Sequence, residues 1–224
     1  TLGSSTSIIA SSGNITLSNA GTITGSGFGL TIGGANNTTI NGAIGTGAGT
    51  LTKQGNGTLT LGGANTFTGK LSINGGTVDL ATGGSWNGGS NGTSRALDIA
   101  VNSGDIGTFK VSAGTLDQST GATGNGILVG DYGNGTFQQT GGSVVVGTGG
   151  IWIGDSSTSS VGLMTLSGGT LTSVAGGTVV ATRGTGTLTI GGSANATMST
   201  IQLGHTAGGS SCLLYTSPSP RDGL

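Results

Sequence analysis

The chain has 224 residues, 52 of them Gly, with a formal net charge of −1 and only 6% charged side chains. Ordinary soluble domains carry about 25% charged residues and about 7% Gly, so this is either a low-complexity linker or a repeat fold whose turns need Gly. Six Lys/Arg against seven Asp leave no basic patch for phosphates, which excludes a nucleic-acid partner, and no apolar run is long enough to span a bilayer.

The sequence opens on Thr1-Leu2-Gly3, without Met or a signal peptide and already inside repeat-like sequence, and so reads as a fragment. The first diagnostic stretch is Leu51-Thr52-Lys53-Gln54-Gly55-Asn56-Gly57-Thr58-Leu59-Thr60-Leu61, continued by Asn65-Thr66-Phe67-Thr68-Gly69 and Asn74-Gly75-Gly76-Thr77-Val78. It closely resembles the autotransporter-associated β-strand repeat, also called the passenger-associated repeat, of exported bacterial proteins. That family's pattern runs Lys-x-Gly-x-Gly-Thr-Leu-x-Leu, Asn-Thr-(Tyr/Phe)-Thr-Gly, Asn-Gly-Gly-Thr-Leu. Lys70-Leu71 departs from it, since Gly-Thr-Thr is common there. The resemblance implies a right-handed β-helical passenger, displayed at or released from the outer membrane, whose parent protein has an outer-membrane β-barrel or an anchor. It implies no catalytic residues.

Next comes a Gly/Ser-rich loop, Gly83–Thr93, expected to protrude; it carries Trp86, a candidate ligand contact through sugar stacking. From residue 107 the chain realigns on itself: Gly107-Thr108-Phe109, Gly135-Thr136-Phe137, Gly162-Leu163-Met164 and Gly186-Thr187-Leu188 open successive units. A second element recurs as Val129-Gly130-Asp131, Ile153-Gly154-Asp155, Val180-Ala181-Thr182 and Leu203-Gly204-His205, at steps of 24, 27 and 23 residues. Within a unit the runs Ile127–Gly130, Thr136–Thr140 and Ser143–Val146 alternate with period two, the signal of short strands. Short strands repeating every two dozen residues predict one coil of a solenoid. The expected fold is therefore all-β, a right-handed parallel β-helix of three-stranded coils of about 23–28 residues over 1–211, comprising the resembling repeat at 51–80 and Gly-Gly-Thr repeats at 107–205. Phe137, Leu163, Leu171 and Leu188 are expected to point inward, and no Pro interrupts the ladder before residue 212.

Chemistry has few carriers. Asp79, Asp98, Asp105 and Asp117 are scattered and Glu is missing. Asp131 and Asp155 share a repeat position and are expected to stack one coil apart, about 5 Å by the sheet spacing. That separation would suit a retaining glycosidase or a weak cation site. Both follow a Gly at a strand end, however, where Asp is a common turn former. His205 is the sole His and assembles no nucleophilic triad. Trp152, in a strand, offers either a sugar-stacking surface or packing. Thr58/Thr60 and Thr187/Thr189 form the Thr-x-Thr pairs of an ice-binding face, but Thr136/Gln138 and Thr165/Ser167 break the array.

The last segment, 212–224, holds the only Cys and both Pro residues and resembles a translated sequencing adapter. It is expected to add no coil, lying outside the regular rungs or adding only a loose end. The sequence thus predicts an extracellular structural spacer, non-enzymatic and without cofactor or metal, adhesive through loops toward host or matrix carbohydrate or protein surfaces. The alternative is a carbohydrate-binding or polysaccharide-degrading β-helix module.

Overall fold

The computed structural model describes residues 1–88, 95–120, 125–205 and 208–216, without the side chain of Asn125. Every regular element among them is a strand, and every strand pair is parallel. Nine strands form the first sheet, from Thr6–Ala10 through Leu30–Gly34, Leu51–Lys53 and Leu71–Ile73 to Ile201–Leu203. Each is one turn of the chain beyond its neighbour, so the molecule is a β-solenoid of about eight coils. The in-register positions Leu30, Leu51, Leu71, Leu97, Ile127, Ile151, Thr178 and Ile201 step by 20 to 30 residues. This spread is wider than the expected 23–28. The shortest coil, Leu51 to Leu71, lies within the 51–78 motif and the longest runs from Leu97 to Ile127, because a solenoid absorbs length at its corners while the strands keep register.

The other two faces share a second, 13-stranded sheet. Two runs expected as separate strands are continuous: Asn134–Val146 pairs first with Ile106–Val111 and then with Thr115–Gln118. The strand turns the corner without breaking because Gly142 takes a φ of 66° there, a left-handed conformation that Gly adopts at no steric cost. Gly169, φ 78°, repeats the bend in Val161–Ser173.

The core is the narrow column inside the coils. Leu51, Leu71, Leu97, Ile127 and Ile151 stack in it from one face; Val78, Phe109, Phe137, Met164 and Leu188 stack from another. Met164, not Leu163, is the inward partner of Phe137; Leu163 is exposed. Period-two alternation lets only one of two adjacent apolar residues point in, and register makes that residue Met164.

The segment beginning at residue 212 joins the end of the second sheet. Ser210–Tyr215 forms a strand that pairs in register with Thr185–Ile190, Leu213 beside Leu188. All six of its residues are exposed, so it extends the ladder without closing a core. Residues 217–224 lie outside the described ones.

Candidate functional site

The motif at 51–80 builds the interior rather than a surface site. Lys53 takes an inward position between Ile32 and Ile73 and is buried. Its ammonium donates to the carbonyls of Gln54 (2.8 Å), Gly55 (2.8 Å) and Gly75 (3.2 Å), matching three protons to three acceptors. Burial pushes its pKa down to about 8, so it stays largely charged at neutral pH. Asn65 ties three coils together: its Oδ1 accepts from the Ile44 N–H, and its Nδ2 donates to Gly63 O and Ser85 O. Phe67 stacks on Trp86 with ring centroids 5.0 Å apart and planes 15° apart.

Trp86 is thereby corrected. It lies in the strand Ser85–Asn87, wholly buried, and its indole N–H donates to Phe67 O at 3.1 Å. Both the ring and its polar tip are used inside the solenoid, which leaves no face for a ligand. Residues 89–93 of the expected loop lie outside the described residues.

Residues 51–80 match the family model of the passenger-associated-transport-repeat. The chain carries a passenger-associated-transport repeat at residues 51–80. Neither the curated proteins nor the solved structures yielded a match to it. The passenger repeat accounts for the shortest coil, and its Lys, Asn and Phe positions are those that cross-link that coil to its neighbours.

Polar chemistry outside the passenger repeat gathers on the outer face of the first sheet. The outward column there runs Ser72, Asp98, Leu128, Trp152, Val179, Gln202. Asp98 is fully buried; Lys70 donates to its Oδ2 at 2.7 Å and Arg95 Nη1 stands 3.6 Å away. The same Arg95 nitrogen hydrogen-bonds Asp131 Oδ2, and Arg95 Nη2 lies 3.5 Å from Ser156 Oγ. Charge thus alternates Lys70, Asp98, Arg95, Asp131 over three consecutive coils, and Ser156 extends the contact to a fourth. Among the described residues, the second carboxylate oxygens of Asp98 and Asp131 are buried without a hydrogen-bond partner. Burial pushes the Asp131 carboxyl above the ordinary range, against the pull of Ser156 and Arg95.

Asp131 and Asp155 follow Gly130 and Gly154, φ 73° and 69°, at equivalent corners of adjacent coils. The Asp155 N–H donates to Gly130 O, and the Ser156 N–H to Asp131 O. The corner continues through Ala181, φ 62°, to Gly204, φ 65°. The sequence column of Asp131, Asp155, Thr182 and His205 is therefore a column of residues following left-handed turns. The two carboxylates have different partners: Arg95 engages Asp131, and Asp155 accepts from Ser156 Oγ at 3.2 Å. Among the described residues, no group of three or more His, Cys, Asp or Glu side chains converges in a way that could hold a metal ion.

Sequence reasoning overlooked Arg95, which has no repeat partner in sequence. Only the stacking of adjacent coils brings it to Asp131, 36 residues away in sequence. On the second sheet, Thr136/Gln138 align with Leu163/Thr165 and Thr187/Thr189, not with Thr165/Ser167. The threonine columns remain broken, now by Leu163 and by the Asp79–Lys110 ion pair at 3.5 Å.

Proposed function

We propose that this segment is a non-catalytic structural rod of an exported passenger, holding more distal parts of its parent protein away from the cell surface. The observation that supports this reading most directly is the unbroken parallel ladder, about eight coils deep, with the passenger repeat as one of its coils. Such a solenoid needs no ligand to fold, since each coil buries its apolar side against the next. The carboxylates lend hydrolysis no support, because Asp131 is engaged by a guanidinium and sealed from solvent.

Display can be read on intact cells expressing the full-length parent protein with an epitope inserted at Gly104, a turn glycine with open space around it. The rod reading expects antibody labelling of unpermeabilised cells, removed by external protease. Labelling that appears only after lysis would overturn it. A second reading, adhesive contact with carbohydrate, has one observation in its favour: Trp152 stands on the outer face of the first sheet rather than in the core.

A further inference from the structure

We propose that Trp152, Gln202 and His205 form a sugar-ring subsite on the outer face of the first sheet, taking an uncharged polysaccharide. The inference rests on the carbohydrate reading above and gives it a location. The two Trp residues have opposite environments. Trp86 is enclosed and its indole N–H is bonded, whereas Trp152 is half-buried and its N–H has no hydrogen-bond partner among the described residues. Leu128 and Val179 are the in-register neighbours of Trp152 on that face, and both are buried, so the half-buried indole stands between two covered apolar positions. A half-buried aromatic ring has less freedom to lose than an exposed one when a ligand stacks on it.

Polar groups flank the ring. His205 meets Trp152 edge to face, centroids 6.0 Å apart and planes at 85°. The Gln202 amide N–H donates to His205 Nδ1 at 2.8 Å, which puts the remaining ring N–H on Nε2 and leaves the Gln202 carbonyl free to accept. All but the half-buried indole are exposed. A pyranose presents an apolar C–H face and a rim of hydroxyls, which fits an aromatic surface bordered by an indole N–H, an imidazole N–H and an amide oxygen. None of the three side chains is an acid, Lys or Arg. The nearby carboxylate of Asp155 is buried and accepts from Ser156, so it offers little to a charged polymer.

The test uses the 224-residue chain and a panel of soluble neutral polysaccharides (a linear β-glucan, a β-mannan and a xylan), with a polyuronate as the charged comparison. Binding is read by affinity electrophoresis and by tryptophan emission, and circular dichroism checks that each variant keeps its strands. At least one neutral polymer should retard the chain and shift its emission. Trp152→Ala should weaken retardation at least about tenfold, as loss of a central aromatic anchor does. His205→Ala should weaken it less, and Trp152→Phe should bind with no emission shift. Undiminished binding by Trp152→Ala would overturn the subsite while leaving the carbohydrate reading in place. No retardation by any neutral polymer would overturn both, and tighter binding of the polyuronate would overturn the uncharged ligand.

Discussion

Gln118 occupies an inward position of the strand Thr115–Gln118, is buried, and among the described residues has neither amide atom hydrogen-bonded. A buried unsatisfied polar group costs about 1–3 kcal/mol, so Gln118→Met should raise unfolding stability by about that amount, read from the urea midpoint at unchanged slope. An unchanged or lower midpoint would show that the amide is satisfied in solution. Lys53 is the contrasting buried polar residue, with every proton matched. Its folded pKa of about 8 lies below the ordinary 10.5, so between those values the unfolded chain binds more protons. Stability should therefore rise as pH climbs from about 8 and level off near 10.5. The comparison is with Lys53→Met, which should lack that rise and be less stable at neutral pH, because three carbonyls lose their donor. Equal pH profiles for the two proteins would contradict the burial of an ammonium. The motif marked Lys53 as a family position, but its role depends on Gly75, brought beside Gly55 only by the next coil.

At the scale of elements, the left-handed corner and the charged column carry the next expectations. A Cβ added to Gly154 would lie 2.4 Å from Thr185 O, on a backbone that cannot easily yield. Gly154→Ala should lose about 1–3 kcal/mol, the usual cost of a residue forced into a sparse region; a loss below the error of thermal unfolding would refute the close approach. The recurrence of Gly-Asp was legible in sequence, and so was its turn character. Its neighbour Arg95 was not, because a partner in the preceding coil has no fixed sequence offset when the corners vary in length. For Asp131 the folded pKa is raised, so the folded state holds the proton more tightly than the unfolded chain. Stability should then fall as pH rises from the unperturbed carboxyl range through that raised value, and be regained by moving to mild acid. Asp131→Asn should flatten this dependence while retaining the fold. An Asp131→Asn profile parallel to that of the unchanged protein would assign the pH response elsewhere.

On the scale of the whole molecule, eight coils at the sheet spacing give a rod roughly 40 Å long, and small-angle scattering should show an elongated particle with β-rich circular dichroism. Removing residues 212–224 takes away most of an exposed strand that covers no core of its own. That truncation should change the melting temperature by less than about 2 °C, on the scale at which 1 kcal/mol moves a domain of this size by about 2–4 °C. A larger fall would show that Leu213, Leu214 and Tyr215 help seal the last coil. The segment is expected from sequence to add no coil beyond a loose end, and it contributes one exposed strand to the free edge of the ladder. A free parallel edge offers N–H and C=O groups to any short apolar run nearby, whatever its repeat pattern.

What the sequence determined by itself was the solenoid: Gly-punctuated, period-two runs returning every two dozen residues admit stacked parallel coils and little else. It also identified the passenger repeat and the turn position of Asp131 and Asp155, since these are local patterns. Tertiary structure alone decided which of two adjacent apolar residues points inward, that Trp86 belongs to the core and Trp152 to the surface, and that Arg95 engages Asp131. Each of those outcomes depends on register between coils. Register is fixed by packing many side chains at once, and no single stretch of sequence contains it.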